Sequence, residues 1–323
     1  MELRQLKNRA EIIGLLKSMN VEEKTSRNGK EMLIGNAVIE VKDGEKVNNI
    51  RVNVLQMKHK KNGEIMKPFK SLQTVIAEYK TIDHDGRENA DLVRVNGEYS
   101  LNEYYTDEGE FRSTKQIRAS YFKRLDEEAQ HHALLTTDLV VTNIENEVDS
   151  EGLVTGRLKV EGFTVNYGPK VTPLKDLIVN EDLADAFRSL YFEGVTGLVT
   201  IQINSFAETE IVEVEAAPSH GFGATAKVEE NIITNYINEY VIIGGDVPYQ
   251  GTAEYTPEEI EEAKKARALD LSTMKANSSA PAQPTGFGAK TPSQSEIDSA
   301  VDKILDAHEK STENTIVDDM PDF

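Results

Sequence analysis

The segment VNNIRVNVLQM (47–57) alternates apolar and polar residues at Ile50, Val52 and Val54, and KPFKSLQTVIAEYK (67–80) then abandons that period. In the second segment Phe69, Leu72, Val75, Ile76 and Tyr79 fall on one helical face. Pro68 stands at its start, where a missing N–H costs nothing. Two strand-like runs, 10–18 and 32–42, precede 47–57, and Asp43-Gly44 marks a turn between the last two. Strand-like runs return at 91–95, 97–105 and 111–122. Three strands, one helix and further strands is the order of an OB-fold, a small Greek-key barrel whose open face takes oligonucleotides or oligosaccharides.

The order then recurs. Strand candidates lie at 138–147, 153–167 and 171–179; a helix at 180–191 takes Asn180 as N-cap and places Leu183, Phe187 and Leu190 on one face; strands resume at 196–206, 209–216 and 239–243. The expected fold is mainly β with minor α: two tandem OB-like Greek-key barrels, residues 1–130 and 134–250. A helix over 256–271 follows, opened by the capping box Thr256-x-x-Glu259. Then come a Ser/Ala/Pro/Gly-rich linker at 272–293, a short amphipathic helix at 295–310 and an acidic tail at 311–323. GFGA occurs at 221–224 and again at 286–289, too short to be a repeat.

With 323 residues, 38% of them hydrophobic, the chain has room for two cores. It has no Cys, hence no disulfide, no thiolate nucleophile and no Cys-bound metal, which suits a reducing compartment. MELRQLKNRAEIIGLLK lacks a signal-peptide apolar region and no run is long enough to span a membrane, so the expectation is a soluble, cytoplasmic protein. A net charge of −20 argues against nucleic acid as a partner, but its distribution reopens the question. Residues 1–80 hold 16 Lys and Arg against 10 Asp and Glu, whereas 131–323 hold 13 against 34.

Catalytic constellations are missing. Of the six His, only His131 and His132 are clustered, and sequence neighbours rarely share a metal. Asp83-His84-Asp85-Gly86 begins like a calcium loop but places Arg87 at the next ligand position. Gly288-Ala289-Lys290-Thr291 lacks the Gly that a phosphate loop needs before Lys. The expectation is a protein that is not an enzyme and uses no cofactor or metal.

The positive signal is basic and aromatic. Arg51, Lys58, Lys60, Lys61, Lys67 and Lys70 crowd residues 51–70 against Glu64 alone, as a loop tracking a phosphate backbone would. Tyr104, Tyr105, Phe111, Arg112, Lys115 and Arg118 then interleave rings and cations. Single-stranded nucleic acid uses both, phosphates on the cations and unstacked bases on the rings. Alternation assigns Tyr99, Phe111 and Tyr121 to the core, so Phe111 is a candidate on both counts. Tyr104 and Tyr105 are adjacent, so one of them faces out.

Three segments carry a family resemblance. NRAEIIGL (8–15) resembles the opening strand of bacterial-type single-stranded DNA-binding proteins. VRVNGEYSLNEYYTDEGEFRSTKQIRAS (93–120) resembles their closing hairpin, and the final DDMPDF resembles their acidic C-terminal motif. The resemblance implies an OB-fold that binds single-stranded DNA in replication, recombination and repair, and a tip, Asp318, Asp319, Met320, Pro321, Asp322 and Phe323, that docks partner proteins. This chain departs from the pattern in its second, acidic barrel, its lack of Trp, and Asp322 between Pro321 and Phe323. It therefore looks like a divergent, bacteriophage-encoded member, active in the host cytoplasm, and the family's tetrameric assembly does not carry over. The tip also has a physical reading of its own: a ring beside a carboxylate fits an apolar pocket with a basic lip. The competing reading is a structural or assembly protein, such as one of a virion, with two β-barrels and a solubilising tail.

Overall fold

The computed structural model describes residues 3–26, 29–60, 62–106, 108–126, 129–215 and 228–279, without the side chains of 210–215, 228–232 and 277–279. Lys61, the DDMPDF tip, the expected helix at 295–310, both GFGA copies and the linker from 280 onward lie outside these residues.

Five strands close the first barrel: β1 (Asn8–Thr25), β2 (Glu31–Asp43), β3 (Lys46–Met57), β4 (Leu92–Tyr105) and β5 (Phe111–Arg124). Their order is β2-β3-β5-β4-β1 with β1 returning to β2, and β3 runs parallel to β5. Helix α1 (Lys67–Glu78) covers the barrel with Phe69, Leu72 and Val75, and a turn of helix, α2 (Ile82–Asp85), leads into β4. The second barrel repeats the scheme with β6 (His132–Val148), β7 (Val154–Asn166), β8 (Lys170–Val179), helix α3 (Glu181–Leu190), β9 (Thr196–Glu215) and β10 (Val228–Gly245). Its ring runs β6-β7-β8-β10-β9 and back to β6, with β8 parallel to β10.

Several boundaries differ from expectation, each for a local reason. The runs at 91–95 and 97–105 are one strand, because Gly97 lets β4 pass close over β5. A Cβ there would sit 2.4 Å from the Arg118 carbonyl oxygen. The runs at 196–206 and 209–216 likewise form a single β9, and β10 begins at Val228, well before the expected 239, because the two strands pair continuously as a long hairpin. Helix α4 (Pro257–Ser279) takes in the first eight residues assigned to the linker. Residues 272–279 contain neither Pro nor Gly, and the first helix breaker is Pro281. The capping box forms as expected: Thr256 N–H donates to Glu259 Oε2 at 2.9 Å and Glu259 N–H to Thr256 Oγ1 at 3.2 Å. Asn180 is the N-cap of α3 but makes no side-chain cap bond, and Leu190 is exposed.

The barrels are joined through their first strands. β1 and β6 pair antiparallel from Asn8↔Thr137 to Ile13↔His132. Bulges show how the two halves correspond. Lys17 is the extra residue of β1 against β2, and Thr142 is the extra residue of β6 against β7. Ser120 is the extra residue of β5 against β4, and Ile243 that of β10 against β9. Matching Lys17 to Thr142 places Ala10 on Leu135, and these two are direct ladder partners. A pseudo-two-fold axis therefore passes between them.

Each barrel also sends its last hairpin over the other. From β4, the Tyr99 ring meets Tyr240 edge-on at 5.7 Å, and its hydroxyl donates to the Pro173 carbonyl at 3.3 Å. From β9, Phe206 lies under Lys46 at 4.4 Å and Ser205 N–H donates to Asn48 Oδ1 at 2.7 Å. Asn8 ties the seam, donating to Tyr99 O at 2.8 Å and Asn166 Oδ1 at 2.7 Å while accepting from Tyr99 N–H at 3.0 Å. Most of the buried apolar residues of both barrels form one continuous cluster. Heating should consequently unfold both barrels in one transition, with calorimetric and van't Hoff enthalpies equal. Two resolved transitions in differential scanning calorimetry would refute the common core.

Candidate nucleic-acid interface

In a barrel wall, alternate side chains point inward and outward. The outer face of β5 is set by Ile117, which is buried, so Gln116 and Arg118 face out. The Ser120 bulge then shifts the phase by one residue, so that Phe122 is buried and Tyr121 is 49% exposed. Tyr121 is therefore a surface ring and not a core residue. The odd spacing of Ile117 and Phe122 is the sequence signal for this shift. Phe111 does share the inward parity of Ile117, but the hairpin tip runs beyond the barrel, leaving it 39% exposed against Tyr105, ring centroids 5.2 Å apart. Tyr99 is buried as expected.

Register arranges the remaining outward residues in rows. Asn53 of β3 stands beside Arg118 of β5, which faces Glu98 of β4. Asn53 Nδ2 donates to Gln116 Oε1, and Gln116 Nε2 to Ser100 Oγ at 3.2 Å, so a belt of amides and hydroxyls crosses the three strands. Arg51 is exposed on β3 two residues before Asn53. Toward one end Tyr121 faces Asn96 and borders a shallow cleft against Pro68 and Ser71 of α1, the helix that also carries the exposed Lys67 and Lys70. Toward the other end Tyr104, half exposed, faces Arg112, six residues or about 20 Å along β5 from Arg118.

The expected cations divide by what already holds them. Arg51, Arg118, Lys67 and Lys70 have no ion pair within the described residues, and Lys123, another cation of the 99–124 segment, joins them beside Tyr121. Lys58 is engaged by Glu23 at 2.8 Å and Glu31 at 3.1 Å, and those two carboxylates raise its pKa. Lys60 pairs with Glu64 at 3.1 Å and Arg112 with Glu110. Lys58, just beyond β3, is thus neutralised by carboxylates at the end of β1 and the start of β2, a contact between segments far apart in sequence.

Lys115 has a different place. It shares the inward face of the hairpin and reaches the other barrel, 3.8 Å from Asp176 and 5.3 Å over the Tyr240 ring. Burial lowers its pKa, against the pull of Asp176. A lysine whose pKa falls on folding costs stability while it stays charged, and that cost declines once pH passes the lowered value and is gone above the ordinary lysine value. Lys115→Met should accordingly leave the melting temperature at pH 7 unchanged or raise it by a few degrees. A drop of more than about 3 °C, near 1 kcal/mol for two barrels that unfold together, would show that the attraction of Asp176 outweighs the cost of burial.

A different wall of the second barrel, that of β6, β7 and β8, is closed off. α4 and the N-terminal Leu3 and Leu6 pack on Val140, Phe163, Val165 and Val171 to form a second small core. Phe163 and Phe206 are buried, and the strongly exposed rings are Tyr167, Tyr236 and Phe192. Among the described residues no group of His, Cys, Asp or Glu could hold a metal ion, and no helix is long and apolar enough to cross a membrane.

Comparison with solved structures finds loose global likenesses. Wild-type single-stranded DNA binding protein from Thermus aquaticus is 14% identical over 79% of this chain and 99% of its own, with a TM-score of 0.46. A deletion mutant of the same protein, also 14% identical, matches 79% of this chain and 98% of its own, at 0.44. A mitochondrial single-stranded DNA binding protein of S. cerevisiae is 16% identical over 40% of this chain and all of its own, at 0.25. At such scores the likeness carries no weight for function. No curated protein matches the sequence. One family model does, over residues 7–277, which takes in both barrels and nearly all of α4: the chain belongs to the YorF family.

Proposed function

We propose that this protein binds single-stranded DNA without sequence preference on the outer wall of its first barrel, in replication, recombination or repair, and without catalytic turnover. The observation that supports it is the β3–β5–β4 wall itself. Exposed Arg51 and Arg118, without carboxylate partners among the described residues, lie between the rings of Tyr121 and Tyr104 on a belt of side-chain amides. Cations take phosphates, rings take base faces, and amides meet base edges without enforcing one sequence. A duplex, with its bases stacked inward, would leave the rings unused. The DDMPDF segment serves in this reading to recruit partner proteins.

Fluorescence titration with poly-dT at several salt concentrations tests the wall. Arg51→Ala with Arg118→Ala should weaken binding and reduce the steepness of the log–log salt dependence by about 1.4, at ~0.7 per phosphate contact. Tyr104→Ala and Tyr121→Ala should each weaken binding by ~1–3 kcal/mol with the slope unchanged. Lys58→Ala with Lys60→Ala should move the slope less than the arginine pair, because both ammonium groups already sit on carboxylates. An arginine double variant that keeps the full slope sinks the assignment.

The tip is tested separately. Phe323→Ala keeps every side-chain charge, so poly-dT affinity should stay as it was, while pull-down of replication proteins from host extract should fail. Retention of every partner would reduce the segment to a solubilising tail.

A further inference from the structure

α4 runs from the second barrel to the hairpin of the first and grips it from the inner side. The Arg267 guanidinium donates twice to the Glu103 carboxylate, Nη1 to Oε2 at 2.8 Å and Nη2 to Oε1. Glu103 also accepts from Ser113 Oγ at 3.2 Å, so the one carboxylate holds both strands of the hairpin. The Glu103 side chain is only 4% exposed and that of Arg267 14%. Tyr104 follows Glu103 directly and so points to the opposite, outer face, where it stands across from Arg112.

A buried ion pair is a poor device for stability alone, since desolvation cancels much of its attraction. Nor does α4 need one to stay in place, because Tyr255, Ala263 and Ile260 already seat it in the second small core. What a guanidinium fork on a carboxylate supplies, and an apolar contact does not, is a fixed direction. The free end of a β-hairpin beyond its barrel is otherwise able to swing, and the angle of this one decides whether Tyr104 and Arg112 lie in line with Arg118 and Tyr121.

We propose that Glu103 and Arg267 are positioning residues: α4 sets the pose of the β4–β5 hairpin, and thereby of Tyr104, for the strand bound on the outer wall, an inference that rests on reading that wall as a nucleic-acid surface. The ordinary alternative is an ion pair that only adds stability.

Two readouts on the full chain separate these. In Arg267→Gln, amides of the hairpin (residues 98–118) should exchange with deuterium at least tenfold faster while those of β1 to β3 keep their protection. Poly-dT affinity should fall roughly tenfold, about 1.4 kcal/mol, and adding Tyr104→Ala should cost little more than the larger single loss. Residues acting as one unit show that non-additivity, and a purely stabilising pair would give the product of the two losses. If Arg267→Gln does not fold, because Glu103 is left buried and unpaired, the neutral pair Glu103→Gln with Arg267→Gln takes its place in both measurements. Unchanged hairpin exchange, or fully multiplicative losses, overturns the proposal. An intact chain that leaves poly-dT unbound overturns the DNA reading instead, and the hairpin exchange alone then decides whether α4 holds the pose.

Discussion

The pairing of β1 with β6 is the constraint from which the rest of the architecture follows. A barrel whose first strand has a free edge invites association with any other strand. Here the edge is taken by the equivalent strand of the same chain, in a register that places Ala10 on its own counterpart, Leu135. Once the two first strands are fixed antiparallel, each last hairpin is carried across the other barrel. Tyr99 then meets Tyr240, and Phe206 meets Lys46. Neither ring would be buried in an isolated barrel. Asn8, at the start of β1, satisfies backbone groups of β4 where the seam forms, so the sheet junction and the hairpin crossing are one network.

Near-symmetry of this kind yields two equivalent barrels, and the remaining elements of the chain make them unequal. The N-terminal residues and α4 cover the β6–β7–β8 face of the second barrel with a small core of their own. Arg4 joins them by donating to the carbonyls of Ala253 and Glu254, with its guanidinium over the Tyr255 ring. The first barrel's β3–β5–β4 wall keeps polar side chains, isolated rings and the aliphatic Leu55 in the open. Covering that face gives α4 a rigid seat from which it reaches the first hairpin.

Much of this is legible in the sequence because it depends on local periodicity. The element order, the α1 face of Phe69, Leu72 and Val75, and the Thr256 capping box are all short-range patterns, and all appear as read. What is not legible depends on partners distant in the chain. Lys58 looks like a free phosphate contact until Glu23 and Glu31 are brought to it. Lys115 looks like a surface cation until Asp176 and Tyr240 of the other barrel close over it. Tyr121 departs from expectation for a different reason, since one extra residue at Ser120 inverts the alternation for everything beyond it. The sequence does carry a sign of that inversion, because two core residues five apart cannot lie on one face of an unbroken strand.

Net charge is the remaining tension: a chain at −20 is a poor candidate for binding a polyanion if charge acts as a total. It does not act so. At physiological ionic strength a charge is felt over about 8 Å, shorter than the roughly 20 Å between Arg118 and Arg112 along one strand. What a phosphate meets is the local arrangement, and on the first barrel's wall this is Arg51, Arg118 and Lys123 with Glu98 as the opposing carboxylate beside them. The acidic side chains of α3 and of the β6–β7 hairpin belong to the other barrel. Ion pairing within the first barrel sharpens the contrast, because Glu23, Glu31 and Glu64 are already bound to Lys58 and Lys60 and repel a phosphate less than free carboxylates would. Lys58 and Lys60 thus have a different use: they mask the carboxylates at the rim of a wall whose open cations are Arg51, Arg118 and Lys123.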